Sequence, residues 1–192
     1  KSVMELRKST GLGMMDCKQA LKETDGDIEK AVEYLRKKGM AAVEKRAGRE
    51  ATDGLIVSYI HPGSRLGVLV EVNCETDFVA RTDDFQQFAR DVSMHIAASQ
   101  PLAVKREDIE TELLEKERAI YSEQAKNEGK PENIAEKIVQ GRIEKFYQEN
   151  CLMEQNFVKN PDQTIEQMIT ELTAKIGEKI GVRRFSCFRL GE

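Results

Sequence analysis

The chain has 192 residues, of which 40% are hydrophobic and 33% are charged, and its formal net charge is −4. These proportions are typical of a globular, helix-rich protein with one ordinary domain or two small ones. No apolar run approaches the roughly 20 residues of a membrane span, and the charged N-terminus is unlike a signal peptide, so we expect no membrane contact. The four cysteines are far apart in sequence, which disfavours a zinc site and fits reduced thiols in the cytoplasm: Cys17, Cys74, Cys151 and Cys187.

Charge is unevenly distributed along the chain. Residues 1–50 carry 12 Lys/Arg against 9 Asp/Glu, a net charge of +3, whereas residues 51–192 have a net charge of −7. No aromatic residue is interleaved with the basic cluster at residues 36–49, and aromatic side chains are what single-stranded nucleic acid stacks on. We therefore predict a solvated basic face and no direct nucleic-acid partner.

The first 38 residues predict three short helices. Val3–Ser9 is the first, and Gly11 and Gly13 break the chain before the second, which runs from Met14 to Thr24. Asp27 is a suitable N-cap for the third helix, and Gly39 is its expected stop. The predicted core positions recur at helical spacing and are Met14, Cys17, Ala20, Leu21, Ile28, Ala31, Val32 and Leu35. Residues 40–53 are predicted to be a polar, partly helical linker.

The rest of the chain predicts an antiparallel sheet with packed helices. Leu55–Ile60 and Leu66–Asn73 form a hairpin, and Val182–Leu190 is a final strand. Amphipathic helices are expected at Thr82–Ser99, capped by Thr82 or Asp83, and from Ile165 to Ile176, bounded by Gly177 and Gly181. This order of elements predicts the α+β class.

Residues 107–150 are the most charged part of the chain. Apolar positions mark two helices separated by Gly129-Lys130-Pro131, which predicts an antiparallel helical hairpin. Its apolar seam is thin, so we expect the hairpin to project from the body rather than to be buried.

The segment Asn73–Arg81 is the most informative part of the sequence. Leu66, Val68, Val70, Val72 and Cys74 share one face of a strand, which then meets the polar residues Glu75-Thr76-Asp77. Phe78 follows this break and keeps the parity of the buried face, so it is either a plug for the local core or a probe for a partner. Met15 is similarly open between filling a gap and contacting a partner.

Enzymatic interpretations lack the required side chains. The two histidines are His61 and His95, and His95 is expected to be a partly buried structural group. No phosphate-binding glycine loop is present, and Cys74 falls on the apolar strand face. We therefore predict no catalytic residues, metal site or cofactor, with a thiol enzyme using Cys74 or Cys187 as an alternative.

Four motifs in order resemble the bacterial elongation factor Ts family over almost the whole chain. The first is LRKSTGLGMMDCKQAL at residues 6–21, followed by GDIE at 26–29. The second is EVNCETDFVA at 71–80, the third KPENIAEKIVQGR at 130–142, and the fourth KIGEKIGVRR at 175–184. The family is the guanine-nucleotide exchange factor of elongation factor Tu, so the resemblance implies a protein that binds the GDP form, dislodges Mg²⁺ and promotes GDP release.

The resemblance also implies an organisation into modules. Residues 1–50 would be a ubiquitin-associated-like three-helix module with its linker, and residues 107–150 an inserted coiled-coil hairpin. Residues 51–106 and 151–192 would be the two parts of the core. The chain resembles the compact form with a single core unit, which implies a homodimer.

Family contacts carry over to matching positions only. Thr76, Asp77, Phe78 and Val79 would dislodge the partner's Mg²⁺. Further contacts with elongation factor Tu, both GDP-bound and nucleotide-free, would come from Arg7, Met14, Met15, Lys18, Ile176 and Gly177. A competing hypothesis, based on the N-terminal module alone, is an adaptor for ubiquitin or nascent chains, but it leaves the Thr-Asp-Phe-Val segment unexplained.

Overall fold

The computed structural model describes residues 2–129 and 131–192 and is α+β, as predicted. A three-stranded sheet has the order β1-β2-β5, with β1 at Asp53–Ile60, β2 at Leu66–Cys74 and β5 at Gly181–Arg189. The chain forms two compact units. The first contains Lys1–Val57, Glu71–Arg90 and Gln167–Val182, and the second contains Ser58–Val70, Asp91–Glu166 and Arg183–Glu192. Lys130, which belongs to the third motif and to the predicted helix break, lies outside the described residues.

The three predicted N-terminal helices are present and share a small core. Helix α1 spans Ser2–Thr10, α2 spans Met14–Glu23 and α3 spans Ile28–Arg46. The Asp27 carboxylate accepts the Lys30 backbone N–H at 3.1 Å, which confirms the predicted N-cap. The core of the three helices consists of Leu6, Cys17, Ala20, Leu21, Ala31 and Leu35.

Two predicted core residues of these helices are instead exposed. Met14 is the first residue of α2 and is 50% exposed, because the loop residue Leu12 packs against the core at this end. Ile28 is the first residue of α3 and is also exposed, since the inward face of that helix begins one turn later at Ala31. Helical spacing predicts which face of a helix a residue is on. It does not predict that the first turns of α2 and α3 extend beyond the packed core.

Gly39 does not end α3, which was the sequence prediction. It is buried within the helix, where a Cβ would lie 3.5 Å from the Ala174 Cβ and 3.6 Å from the Thr170 Cγ2. The missing side chain therefore lets α3 approach helix α8, which spans Ile165–Ile176. The helix continues to Arg46 because residues 40–46 are mostly good helix formers, so the first half of the predicted linker is helical.

The alternation predicted for β2 is confirmed. Val68, Val70, Val72 and Cys74 are all buried, whereas Leu69 is exposed. Gly54 on β1 meets a close backbone approach, since a Cβ there would lie 2.1 Å from the Val72 carbonyl oxygen. With φ at +144°, this position requires glycine.

The two helices predicted beside the sheet are also present. Helix α5 spans Asp83–Ser99 and buries the predicted apolar stripe. The Thr82 hydroxyl accepts the Phe85 N–H at 3.4 Å, so Thr82 caps the helix. Helix α8 ends where Gly177 adopts φ of +87° and donates its N–H to the Thr173 carbonyl at 2.9 Å.

The charged segment contains helix α6 at Thr111–Asn127 and helix α7 at Glu132–Asn150. The Arg142 guanidinium on α7 donates to Gln124 and lies 5.8 Å from the ring centre of Tyr121, both on α6. These contacts pair the two helices, and their buried side chains are few: Ala125, Ile143 and Phe146.

Arg106, which precedes α6, links the C-terminal part of α7 to the segment that follows that helix. The Arg106 guanidinium donates to both Glu154 carboxylate oxygens, at 2.5 and 2.7 Å, and contacts Glu144 at 2.9 Å. It also lies 4.5 Å from the ring centre of Tyr147. Sequence reasoning missed this cluster and the small hairpin that follows it, β3 at Asn156–Phe157 and β4 at Asn160–Thr164.

His95 is fully buried, more completely than the sequence predicted. Its Nδ1 accepts the Val158 N–H at 3.3 Å, so its Nε2–H donates to the side-chain amide oxygen of Gln155, Oε1, at 2.9 Å. Burial lowers the pKa of His95, which keeps the imidazole neutral.

Replacement of Gly39 tests how closely α3 and α8 pack. Gly39→Ala should raise the free energy of unfolding by about 0.5–1 kcal/mol, because the methyl group fits at ordinary contact distance and alanine favours the helix. Gly39→Leu should lower it by about 1–3 kcal/mol through overpacking. Urea unfolding measures both, and a destabilising Gly39→Ala would show that the gap between the helices is smaller than described.

Titration of His95 predicts a pH-dependent stability. The unfolded chain takes up a proton on His95 at a pH where the folded chain does not, so the free energy of unfolding falls as pH drops through about 6.5. The slope contributed by this residue reaches at most about 1.4 kcal/mol per pH unit. Urea unfolding between pH 8 and pH 5.5 should show this slope in the parent chain and not in His95→Gln, and equal slopes would contradict it.

Candidate partner-binding site

A short helix begins at the polar break Glu75-Thr76-Asp77. Helix α4 spans Asp77–Ala80, and the Thr76 hydroxyl caps it by accepting the Val79 N–H at 3.4 Å. Val79 and Ala80 are buried, so the preceding turn faces outward and Phe78 is 77% exposed. The helical turn breaks the strand parity on which the core-plug interpretation depended, and that interpretation is wrong.

A charged pair stands beside Phe78. The Asp77 carboxylate accepts a hydrogen bond from the Arg81 guanidinium at 2.6 Å, and both side chains are largely exposed. An exposed pair of this kind contributes little to stability. Its charges therefore remain available to a partner that approaches Phe78.

Glu178 fixes the start of this segment. Its carboxylate accepts the backbone N–H groups of Glu75 at 3.2 Å and of Thr76 at 3.1 Å. It also accepts the Thr76 hydroxyl at 2.8 Å. One carboxylate thus holds three donors of the residues that precede α4, and hydrogen bonds to a charged group are stronger than neutral ones.

Glu75 in turn binds the segment that carries Glu178. Its carboxylate accepts the Lys179 backbone N–H at 2.7 Å and is 3.3 Å from the Arg49 guanidinium. The Lys179 hydrogen bond, more than Arg49, holds the pKa of Glu75 below its ordinary value, so this carboxylate stays ionised. We call this reciprocal arrangement of Glu75 and Glu178 the double-glutamate clasp.

Further hydrogen bonds connect the clasp to the C-terminal end of α3 and the residues that follow it. The Lys179 ammonium donates to the carbonyl oxygens of Ala47 and Arg49, both at 2.7 Å. The Arg46 guanidinium donates to the Gly177 carbonyl oxygen at 3.0 Å. Hydrogen bonds and ion pairs therefore connect three segments of the first unit: residues 46–49, 75–76 and 177–179.

The structure brings together two of the predicted groups of site residues. Ile176 and Gly177 directly precede Glu178, whose carboxylate binds Thr76, so they adjoin the Phe78 segment. Val79 belongs to that segment but is only 5% exposed, so its side chain anchors α4.

The third predicted group lies on α1 and α2 and is exposed at the surface. Arg7 and Lys18 are exposed. Met15 is 74% exposed and Met14 is 50% exposed. The loop between these helices runs beside Lys175, since a Cβ on Gly11 would lie 3.8–3.9 Å from that side chain. The Lys175 ammonium in turn contacts the Asp84 carboxylate at 2.8 Å. The loop that leads to Met14 therefore lies next to the last turn of α8, where Ile176 is found.

Sequence reasoning missed Glu75, Glu178 and Lys179 as determinants of the site. All three lie in the matched motifs but were assigned no role. Their only local signal is a polar residue directly after a strand or after a helix-ending glycine. The pairing itself joins residues about a hundred positions apart, and no periodicity reports such a contact.

The thiol chemistry considered as an alternative has little support. Cys74 is fully buried, its Sγ donates to the Thr76 carbonyl oxygen at 3.1 Å, and burial raises its pKa to about 11. A thiol with such a pKa is almost entirely protonated at neutral pH. Cys187 is exposed as a residue, but partial desolvation of its thiol raises the pKa of that thiol as well.

Residues 2–129 and 131–192 contain no cluster of three or more His, Cys, Asp or Glu side chains arranged to hold a metal ion. None of their helices combines the length and the apolar composition that crossing a bilayer would need.

Comparison with known proteins identifies the family. The family model described as "Elongation factor TS" matches residues 16–192. Elongation factor Ts of Geobacter sulfurreducens is 62% identical over 190 residues, which cover 99% of this chain and 88% of that protein. The corresponding proteins of Carboxydothermus hydrogenoformans and Heliobacterium modesticaldum are 61% and 60% identical with the same coverage. The chain belongs to the elongation factor Ts family.

Proposed function

We propose that this protein is the guanine-nucleotide exchange factor of elongation factor Tu in translation elongation. It would bind the GDP-loaded partner, dislodge the partner's Mg²⁺ and promote GDP release so that GTP can bind. The observation that carries this proposal is Phe78, a large apolar side chain that is 77% exposed on an anchored segment. Membership of the family gives that segment its expected target.

The proposed activity needs no bond to be made or broken, so we do not propose an enzyme. A GTPase holds its nucleotide largely through phosphate and Mg²⁺ contacts. An exchange factor works by binding the nucleotide-free partner more tightly than the loaded one. By linkage, the factor by which it weakens GDP binding equals the factor by which GDP weakens its own binding.

Phe78 is suited to act as the wedge in this exchange. Burying a phenylalanine stabilises a complex by about 2 kcal/mol, and the partner would supply the required apolar surface only after its metal-site loop moves. Asp77 and Thr76 flank the wedge, and the Asp77 carboxylate can accept hydrogen bonds from the displaced backbone or repel the phosphates. The Arg81 pair would open in that step at small cost, because it is exposed on both sides.

The other family contacts would supply affinity. Met14 and Met15 offer flexible apolar side chains on the surface, and Arg7 and Lys18 offer cations beside them. Ile176 and Gly177 would form a second contact next to the Phe78 segment. Binding by these residues does not depend on the wedge, so affinity and acceleration are separable.

We also propose that the family's modular organisation and cytoplasmic location apply to this chain. The ubiquitin-associated-like module would be residues 1–50, which is supported by a separate core in α1–α3. The inserted coiled coil would be residues 107–150, where α6 and α7 pair. The core would be residues 51–106 with residues 151–192.

The proposed homodimer has support in the second unit. Phe188 and Leu190, at the end of β5, are 68% and 66% exposed, and Ile60 on β1 is 60% exposed. Cys187 precedes Phe188 in β5 and is exposed as well. Apolar side chains grouped at one end of a sheet are typical of a surface that a second copy covers.

Removing the wedge should slow GDP release. Phe78→Ala should reduce the accelerated release rate by roughly 10- to 30-fold, the equivalent of losing about 2 kcal/mol of apolar burial in the rate-limiting state. Stopped-flow release of fluorescent GDP from elongation factor Tu measures the rate.

The matched control is Leu102→Ala, which truncates another exposed apolar side chain, 56% exposed, that has no proposed role. It should release GDP at the parent rate. Phe78→Ala should also retain part of its affinity for nucleotide-free elongation factor Tu. An unchanged release rate in Phe78→Ala would refute the wedge.

A charge at the proposed dimer surface should separate the subunits. The parent chain should sediment at twice its mass of 21.8 kDa, whereas Phe188→Asp should sediment as a monomer. Leu102→Asp places the same charge elsewhere and should remain dimeric. A parent chain that is monomeric and fully active at nanomolar concentration would overturn the proposed dimer.

A further inference from the structure

We infer that Glu178 is a positioning residue for Phe78, and that the exchange activity depends on the hydrogen bonds that its side chain accepts, which act through Phe78 rather than on the partner. This inference rests on the exchange function proposed above. It concerns a residue for which neither exposure nor the sequence gave a role.

Helix α4 is too short to be stable by itself. A helix of four residues has no intrinsic stability in water, because nucleation costs more than one turn of hydrogen bonds returns. Its direction is therefore set by what holds its ends. At the C-terminal side Val79 and Ala80 are buried, and at the N-terminal side the Glu178 carboxylate holds the backbone of Glu75 and Thr76.

Glu178 is also linked to α4 through the N-cap residue Thr76. The Thr76 hydroxyl donates to Glu178 at 2.8 Å and accepts the Val79 N–H at 3.4 Å. Glu178 thus orients the hydroxyl whose lone pair caps α4. Loss of the carboxylate removes the backbone anchor and frees the cap to rotate, so Phe78 would sample more directions.

The position of Glu178 in the chain connects Phe78 to the end of α8. It directly follows Gly177, so the helix end that carries Ile176 and the segment that carries Phe78 are joined by one side chain. A partner that docks against that helix end would meet Phe78 already in place. Ordering before binding lowers the entropic cost of the complex, which would otherwise reduce the effect of the wedge.

The test compares three replacements of Glu178 with a control. Glu178→Ala removes all three hydrogen bonds and should slow accelerated GDP release by about tenfold. Glu178→Gln should stay within about threefold of the parent, because its amide oxygen can accept both backbone N–H groups. Glu166→Ala removes an exposed carboxylate from α8, the helix that precedes Glu178, and should have no effect. If Glu178→Ala does not fold, Glu178→Asp replaces it, since the shorter side chain keeps the charge and falls short of the two N–H groups.

A double-mutant cycle with Phe78→Ala separates positioning from general structural support. If Glu178 acts through Phe78, the combined variant should release GDP no more than about twofold more slowly than Phe78→Ala alone. Effects that multiply in full would overturn the inference, as would a parent-like rate in Glu178→Ala or Glu178→Asp. Failure of the proposed function has a different signature, because the parent chain itself would then leave GDP release unchanged.

Discussion

The double-glutamate clasp is the interaction on which the rest of the site depends. Glu75 and Glu178 each accept a backbone N–H from the segment that carries the other, and each carboxylate has a further donor. Most ion pairs near a protein surface are weak because water competes for both partners. Here the donors are mainly backbone N–H groups that lie just after a strand and a helix. The same two side chains therefore accept hydrogen bonds from the backbone just after β2 and α8 and fix these two segments relative to each other.

This constraint explains how an exposed phenylalanine can be part of a stable protein. The energy that folds the segment comes from Val79, Ala80 and the clasp, so the side chain of Phe78 is not needed in the core. Its apolar surface is kept for a complex, where burial favours whichever state of the partner accommodates it. The same principle applies to Met15 on α2. A factor that acts by preferring one state of its partner needs such side chains to be exposed and fixed in direction before they meet that partner.

The sequence predicts those elements whose causes are local. The alternation of β2, the caps at Asp27 and Thr82 and the helix end at Gly177 are all present because each depends on a few neighbouring residues. Gly39 was misread because only the approach of α8 explains a glycine inside a helix. Phe78 stayed undecided for a similar reason, since strand parity continued past a point where the backbone turns into a helix. The direction of Phe78 depends on Glu178, which lies about a hundred residues away in sequence. The four motifs identified the family without any of this geometry.

The central claim is that this chain accelerates GDP release from elongation factor Tu. The most direct measurement mixes elongation factor Tu carrying fluorescent GDP with excess unlabelled GDP and increasing amounts of the chain, and follows the fluorescence by stopped flow. We predict that the release rate rises with the concentration of the chain and then saturates, as expected when a ternary complex forms before GDP leaves. Adding Mg²⁺ should oppose the acceleration if the chain acts by dislodging that ion. A release rate that is the same with and without the chain would contradict the account.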